Sequence, residues 1–307
     1  MKGTLKKYGT LLGLGLIVIT FAALKPSVFP TFNNLQNIFE QNSLLAIMAI
    51  GATVVVVIGE FDLSIGSVAS FSGILVAILF GKNYPIFLVV PFVLIASLIF
   101  GLINGFFVSK LNIPSFITTL ASSTFLGGIT YWVSGGTIIF SGIPDSFLVW
   151  GQGDLLGIPV VIIVAALVFI LFLYLFNQTM FGRQLYAIGG NEKAARYSGI
   201  QVERKKILSF GLTSVLAALA GILLTSKLSS AHPTAGEGYL LQSYATVFLG
   251  MTIFKQGEPN VPGTLVGVLI MGVLANGLTI LGVSTYFQDM LTGSIIIAAL
   301  IFQGLND

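Results

Sequence analysis

The sequence of 307 residues contains no cysteine and a single histidine, His232. Without cysteine the chain can form neither a disulfide nor a thiolate site, and one histidine excludes a metal site built from several histidines. Charged residues make up only 8% of the chain, whereas they make up about 25% of an average soluble domain. We therefore expect neither an ordinary soluble domain nor a metal site, and we expect no cofactor.

Sequence motifs for hydrolysis are also missing. The chain has no nucleophile elbow, no HExxH and no Cys/His cluster. The stretch Gly81-Lys82-Asn83 lacks both the upstream glycine spacing and the Ser or Thr of a Walker A sequence. We expect no catalytic residues, no enzymatic activity and no ATP hydrolysis by this chain itself.

Apolar residues dominate what is present. Hydrophobic residues make up 55% of the chain and the mean hydropathy is +0.99. Because a helix needs about 20 apolar residues to cross a bilayer, the composition predicts an all-α, polytopic integral membrane protein in one transmembrane domain, residues 1–307. Apolar runs predict about ten transmembrane helices, with the first retained rather than cleaved as a signal peptide. The predicted spans are residues 8–24, 43–59, 65–80, 85–108, 114–133, 158–176, 207–226, 239–254, 263–281 and 287–302.

Three polar stretches separate these spans. Residues 31–42 are predicted to form a short amphipathic helix or a loop. Residues 134–157 form the longest loop on one side of the membrane, and residues 177–206 form the longest loop on the other side.

Basic residues fix the expected orientation. With ten spans and a cytoplasmic N-terminus, eleven basic side chains lie inside and three outside, which agrees with the positive-inside rule. Both termini are then cytoplasmic, and the net charge of +3 gives no indication of nucleic-acid binding. The inside group is Lys2, Lys6, Lys7, Lys110, Arg183, Lys193, Arg196, Arg204, Lys205, Lys206 and Lys255, and the outside group is Lys25, Lys82 and Lys227.

Two acids, Glu60 and Asp62, lie between apolar runs that are too closely spaced for an ordinary loop. A buried acid in a membrane domain is costly and marks a candidate functional site. The Asp62 carboxylate could accept hydrogen bonds from the first N–H groups of a following helix. One interpretation is a broken or re-entrant helix that lines a transport path, with Asp62 and Ser64 on that path; the other is a cytoplasmic turn with a capping residue.

Two Asn-Gly pairs occur in similar Gly/Leu-rich surroundings, Asn104-Gly105 and Asn276-Gly277. They hint at an internal repeat, of the kind found in transporters. The two Asn side chains could make hydrogen bonds between packed helices or line a transport path. No series of acids or histidines crosses the spans, which argues against a proton relay.

The stretch GGNEKAARYSGIQVERKK, residues 189–206, holds five of the fourteen basic side chains. Asn191 is a good N-cap residue, Glu192 suits the start of a helix dipole, and Gly199 is a natural terminator. These signals predict a helix of about seven residues, roughly 10 Å long, which needs a docking surface to be stable. The alternative is a loop whose charges only fix the topology.

The same stretch resembles a known family. AIGGNEKAARYSGI is similar to the cytoplasmic coupling segment, here residues 183–206, of ribose-type sugar permeases of ABC importers. The spacing of Ala194, Ala195 and Gly199 also resembles the "EAA" loop of ABC importers generally, with Lys193 in place of Glu.

Three further stretches carry this resemblance. They are FDLSIGS (61–67), the long stretch 101–136 and the run 263–299. Together the similar segments cover most of residues 44–300. The chain departs from the family pattern at Leu240 and Gln242, where acids are usual, and in the GEF that precedes the LSIGS motif.

The resemblance implies a permease subunit in the bacterial inner membrane that imports a monosaccharide or a similar small polar solute. It implies two copies of an ABC ATPase, or a fused tandem, a second permease chain and an extracellular solute-binding protein as partners. The ATPase would contact Gly190, Asn191, Glu192, Lys193, Ala194, Ala195, Arg196 and Gly199. The candidates for the substrate path, called the path candidates below, are Asp62, Ser64, Asn104 and Asn276. The alternative function is an ion-coupled secondary transporter with Asp62 at its centre.

Overall fold

The computed structural model describes residues 2–254 and 257–304, so that Lys255, one of the basic residues counted above, lies outside the described part. Within these residues the chain folds into consecutive α-helices and one two-stranded hairpin. The elements are α1 Lys2–Leu24, α2 Phe32–Val57, α3 Ile65–Gly81, α4 Ile86–Lys110, α5 Ser115–Ser134, α6 Asp145–Gln152, β1 Asp154–Leu155, β2 Ile158–Pro159, α7 Val160–Gln178, α8 Met180–Gly190, α9 Glu192–Tyr197, α10 Val202–Leu228, α11 Glu237–Gly250, α12 Val261–Ile280 and α13 Thr285–Gly304.

Five described helices are long and apolar enough to cross a membrane, namely α2, α4, α7, α10 and α12. Residues Thr10–Leu24 of α1 and the whole of α3 are shorter apolar segments. The prediction of a helical membrane protein is confirmed, whereas the count of about ten spans is not.

The helix α2 begins earlier than predicted, at Phe32. The Thr31 hydroxyl accepts a hydrogen bond from the backbone N–H of Asn34, and this N-cap starts a helix of 26 residues. Asn34 and Ile38 are buried, so the polar stretch packs against the protein on one face. The prediction of a separate short helix or loop at 31–42 is therefore wrong, because one continuous helix contains both the stretch and the following span.

Two helices of the membrane domain, α3 and α11, are short. They have 17 and 14 residues, about 26 Å and 21 Å at 1.5 Å per residue, which is less than the roughly 30 Å of a hydrocarbon core. Their first residues meet inside the protein, where the Gly236 N–H donates to the Ser70 hydroxyl at 2.9 Å. The predicted span 239–254 is thus a helix too short to cross the membrane fully, because the chain re-enters the interior before α11 begins.

The order of helices occurs twice along the chain. A long helix, a short helix and two longer helices form the first group, α2 to α5, and the second group, α10 to α13. Packing repeats the same order: α10 contacts α3 and α4, whereas α2 contacts α11 and α12. Asn104-Gly105 and Asn276-Gly277 lie in corresponding helices, α4 and α12, so the arrangement supports the internal repeat that they suggest.

The predicted loop 134–157 contains structure. It includes helix α6 and strand β1, which pairs with β2 in an antiparallel hairpin. Phe147 of α6 is fully buried and packs on Phe80 with a centroid distance of 4.8 Å. The fold is thus almost all-α, and this segment covers the end of the domain where α3 finishes and α7 starts.

Candidate functional site

Helix α9 has the predicted local structure. The Asn191 side chain accepts a hydrogen bond from the Ala194 N–H at 2.9 Å, and the helix covers six residues, Glu192–Tyr197. Gly199 follows it with a φ of +82°, a conformation that favours glycine. The predicted cap and terminator are therefore confirmed.

One side chain of α9 is buried and several others face outward. Ala195 is buried in the main hydrophobic core, which gives this short helix the docking surface it needs. Close to its start, a Cβ at Gly189 would collide with the backbone oxygen of Val57, so the chain before α9 abuts the end of α2. Of the residues predicted to contact the ATPase, those exposed are Gly190, Asn191, Lys193, Ala194, Arg196 and Gly199; the neighbouring Tyr197 and Ser198 are exposed as well.

The start of α10 carries an ion-pair cluster that contacts α9. Lys206 Nζ lies 2.6 Å from Glu60 Oε1 and 2.8 Å from Glu192 Oε2. Glu192 also pairs with Arg196 at 3.1 Å, and Arg196 in turn pairs with Glu203. These ion pairs thus connect three separate parts of the chain: the segment after α2, helix α9 and the start of α10.

The side chains at the two ends of this ion-pair cluster differ in their exposed fraction. The side chains of Lys206 and Glu60 are 10% and 16% exposed, whereas that of Arg196 is 51% exposed. Exposed ion pairs contribute about 0–1 kcal/mol, and breaking a buried one by removing a single partner costs about 3–5 kcal/mol. The hydrogen bond from Lys206 also lowers the pKa of Glu192, so that this carboxylate stays ionised.

The chain between α2 and α3, residues 58–64, is called the α2–α3 segment here. Gly59 starts it with a φ of +78°, and side chains of other helices bind its backbone. The N–H groups of Phe61 and Leu63 donate to Ser115 Oγ and Thr119 Oγ1 on α5. The Tyr244 hydroxyl of α11 lies 2.7 Å from the Asp62 nitrogen and 3.0 Å from the Asp62 carbonyl oxygen. An irregular backbone is thus held inside the helical domain.

Three path candidates lie in one hydrogen-bond network at this segment. Asp62 Oδ1 accepts from both the backbone N–H and the hydroxyl of Ser64, at 2.9 and 2.5 Å. Asn104 Nδ2 donates to Ser64 Oγ at 3.2 Å and its Oδ1 accepts from Ser122 at 2.6 Å. Asp62 is fully buried and its Oδ2 has no hydrogen-bond partner in the described part of the chain. Among the described residues Asp62 thus accepts from the N–H of Ser64, the residue before α3, and not, as predicted, from the N–H groups of the first helical turn.

The fourth path candidate, Asn276, lies elsewhere. Its amide and that of Asn34 exchange two hydrogen bonds, at 2.9 and 3.0 Å, between α12 and α2. Both residues are buried. The structure therefore places Asn276 in a helix-to-helix contact, apart from the network of Asp62.

A cavity of about 390 Å³ adjoins the α2–α3 segment. Glu60 and Phe61 line it on one side, and Gly189, Phe248 and Glu258 line it on others. Phe61 contacts both Tyr244 and Phe248, with ring centroids 5.6 and 6.3 Å apart. An aromatic cluster thus lies between this cavity and the network of Asp62.

A second cavity of about 210 Å³ lies among α2, α11, α12 and α13. Its polar lining residues include Asn42, Gln242, Gln288 and Asp289. Gln242 is one of the two positions at which the sequence departs from the family pattern, and the structure shows that it faces a cavity.

Sequence reasoning missed the partners that organise the site. Lys206 and Tyr244 were not identified, because each acts on a residue more than 140 positions away. The only local indication of the role of Lys206 was its position next to the predicted span 207–226. In residues 2–254 and 257–304 no group of His, Cys, Asp or Glu could hold a metal ion.

Comparison with known proteins gives consistent matches over almost the whole chain. The model of the family described as "Branched-chain amino acid transport system / permease component" matches residues 34–300. The chain is 41% identical to the ribose import permease of Bacillus subtilis, over 98% of this chain and 94% of that protein. It is 40% identical to the ribose import permease of Haemophilus influenzae, over 94% and 90% of the two chains. It is 35% identical to the L-arabinose transport system permease of Escherichia coli, over 97% and 90%. No solved structure matches the chain.

Proposed function

The chain belongs to the family described as branched-chain amino acid transport system / permease component, and from this premise we propose that it is the permease subunit of an ABC importer. Its cargo is a monosaccharide or a similar small polar solute, because the relatives described above are named for ribose and L-arabinose. The whole chain, residues 1–307, forms one transmembrane permease domain of the bacterial inner membrane. Both termini lie in the cytoplasm.

The structure of helix α9 is the main observation that supports this proposal. A capped helix of six residues is docked by one buried alanine and leaves Lys193, Ala194 and Arg196 exposed. A permease whose ATP is hydrolysed on another subunit needs such a contact surface, whereas a transporter that works alone does not. The surface that contacts the ATPase consists of Gly190, Asn191, Glu192, Lys193, Ala194, Arg196 and Gly199, whereas Ala195, which the sequence placed in the same contact, is buried and holds α9 on the domain.

The partners follow from the same mechanism. Two copies of an ABC ATPase, or a fused tandem, bind the cytoplasmic face, and a second permease chain, identical or related, completes the pore. An extracellular solute-binding protein delivers the solute. ATP binding closes the ATPase pair, α9 moves with it, and the pore changes from inward-facing to outward-facing.

The substrate path passes the network of Asp62, Ser64 and Asn104. These polar groups lie inside a membrane domain, where such groups are costly unless they serve a purpose, and the cavity beside Phe61 leads to the end of the domain that carries α9. Asn276 stays a path candidate only if its pairing with Asn34 opens during the cycle.

An ion-coupled secondary transporter is the second candidate function. The buried Asp62 carboxylate, with Oδ2 unpartnered among the described residues, favours it. This candidate requires transport without an ATPase and leaves the exposed face of α9 without a role.

Proteoliposomes that contain the complex purified from native membranes distinguish the two functions. The extracellular fraction supplies the solute-binding protein, and labelled D-ribose, D-allose and L-arabinose are the probes. We expect uptake of one sugar with enclosed ATP, no uptake with a non-hydrolysable analogue, and no effect of proton or sodium ionophores. Uptake that needs an ion gradient and no ATP contradicts the proposal.

A further inference from the structure

Lys206 contacts two parts of the molecule that have different tasks in the proposed function. One is the helix that contacts the ATPase, and the other is the segment beside the substrate path. The Lys206 ammonium group is shared by Glu192, in the helix assigned to the ATPase contact, and by Glu60, in the α2–α3 segment. The two carboxylates lie 132 positions apart in the sequence. One cation therefore links the α9 helix to the backbone that carries Asp62.

Lys206 lies close to both carboxylates and is largely shielded from water. Lys206 is 8% exposed, and both of its ion pairs are shorter than 3 Å. Water therefore competes weakly for Lys206, and removing Lys206 leaves the Glu60 carboxylate, whose side chain is 16% exposed, without this partner. An ion pair of this kind resists separation more strongly than the exposed pairs of Arg196.

Movement of Glu60 reaches the network of Asp62 through the backbone. Gly59, with a φ of +78°, separates Glu60 from α2, and a residue that tolerates large φ/ψ changes is a suitable hinge. On the other side, Phe61 and Asp62 follow directly, with Phe61 packed on Tyr244 and Asp62 bonded to Ser64. A displacement of Glu60 thus changes the aromatic cluster and the polar network together.

Resting on the proposed function, we propose that Lys206 is a positioning residue that transmits the displacement of α9 to the α2–α3 segment. Through the Glu192–Lys206–Glu60 ion pairs, the ATPase-driven movement of α9 shifts Glu60 and Phe61. The same shift alters the access of a solute to Asp62, Ser64 and Asn104. Lys206 itself contacts no solute and acts on the substrate path through Glu60.

The chain offers a matched control for Lys206. Lys227 lies near the other end of α10 and pairs with Glu40 of α2 at 3.2 Å. Its side chain is 22% exposed, so this is also a partly buried Lys–Glu pair, in this case between α10 and α2. Because it lies at the end of α10 remote from α9, it has no role in the proposed transmission.

The absence of cysteine permits a direct readout. A single Phe61→Cys reporter is suitable because Phe61 is 38% exposed and lines the cavity. The complex with its co-purifying ATPase is labelled with fluorescein maleimide, once without nucleotide and once trapped with ATP and vanadate. We expect the labelling rate to differ by about fivefold or more between the two states, the lower end of typical coupling factors.

Four variants on this reporter test the role of Lys206. With Lys206→Gln and with Glu60→Gln, the nucleotide-dependent difference in labelling is lost while the ATPase stays bound and hydrolyses ATP. With Lys206→Arg it is retained, because the cationic link remains. With Lys227→Gln it equals that of the reporter alone. Glu60→Gln keeps the Lys206–Glu192 pair and so serves if Lys206→Gln does not fold.

The outcomes separate this inference from the proposed function. If Lys206→Gln or Glu60→Gln keeps the full nucleotide-dependent difference, Lys206 does not transmit the movement. If the reporter alone shows no difference while a bound ATPase hydrolyses ATP, the α2–α3 segment does not move and the inference is wrong, although the permease assignment stands. If no ATPase co-purifies with the unmodified chain, both proposals fail.

Discussion

Gly66 and Gly236 bring the starts of the two short helices, α3 and α11, into backbone contact. A Cβ at Gly236 would collide with the Gly66 backbone oxygen, and one at Gly66 would press on the Gly236 oxygen. Small residues allow such close approach between helices in a membrane. The two glycines therefore fix the point at which the repeated halves of the fold meet.

Gly236→Ala should destabilise the protein because the new methyl group has no space. Overpacking of this kind costs about 1–3 kcal/mol, so the thermal midpoint of the detergent-solubilised protein should fall. Gly238→Ala is the matched control, since a Cβ there meets no neighbour. Equal midpoints for the two variants would show that the contact at Gly66 is not tight.

Asp62→Asn should abolish most uptake without preventing assembly. The amide can still accept from Ser64, but it removes the negative charge and places a donor at the unpartnered Oδ2 position. We expect uptake of whichever sugar the wild type accumulates to fall by about tenfold or more, a loss of roughly 1.4 kcal/mol. Asp154→Asn, in an exposed turn where Oδ1 accepts from Gly157, is the control; normal uptake by Asp62→Asn would exclude a role for the charge.

The Asn34–Asn276 pair should prove to be a packing contact. Asn276→Leu alone leaves the buried Asn34 Oδ1 without its partner, whereas Asn34 Nδ2 keeps its hydrogen bond to the Phe29 carbonyl oxygen at 2.9 Å; an unsatisfied buried polar group costs about 1–3 kcal/mol. The double change Asn34→Leu with Asn276→Leu removes both amides, so the thermal midpoint should recover in part, less the bond to Phe29, and uptake should be retained. Loss of uptake in a stable double variant would return Asn276 to the substrate path.

The stability contributed by Glu192 should depend on pH. Lys206 lowers its pKa from the ordinary 4.5, so the folded state favours the ionised form. The contribution is fully present above about pH 4.5 and is lost as the pH falls through the lowered pKa. The difference in thermal midpoint between wild type and Glu192→Gln should therefore be positive at pH 7 and shrink below pH 4.5. A difference that does not change with pH would show that charge is not the cause.

Local signals predicted local structure well. The cap at Asn191, the terminator at Gly199 and the contact of Asp62 with Ser64 each depend on residues within a few positions of one another. Three of the four path candidates also lie together in the fold. The irregular connection at residues 58–64 could be recognised in the sequence because acids stand there between apolar runs. Hydropathy alone, however, cannot tell a short helix such as α11 from a complete span.

The remaining features depend on distant contacts. Lys206 looked like one more basic residue that fixes topology, and only the fold places it between Glu60 and Glu192. The same holds for Tyr244, whose hydroxyl binds the backbone of Asp62. Asn276 was grouped with the path residues because its surroundings resemble those of Asn104, but α12 packs on α2 and supplies Asn34 as its partner.

If α9 binds an ATPase, a pull-down of the tagged chain from native membranes in mild detergent should recover that ATPase. Gly199→Trp adds a large side chain beside α9, and Gly282→Trp is its control. Both glycines have positive φ, +82° and +78°, and open surroundings, so the backbone strain is alike. We predict that a Walker-motif ATPase accompanies wild type and Gly282→Trp and is lost with Gly199→Trp. An ATPase that stays with Gly199→Trp, or none with the wild type, would show that α9 does not hold an ATPase.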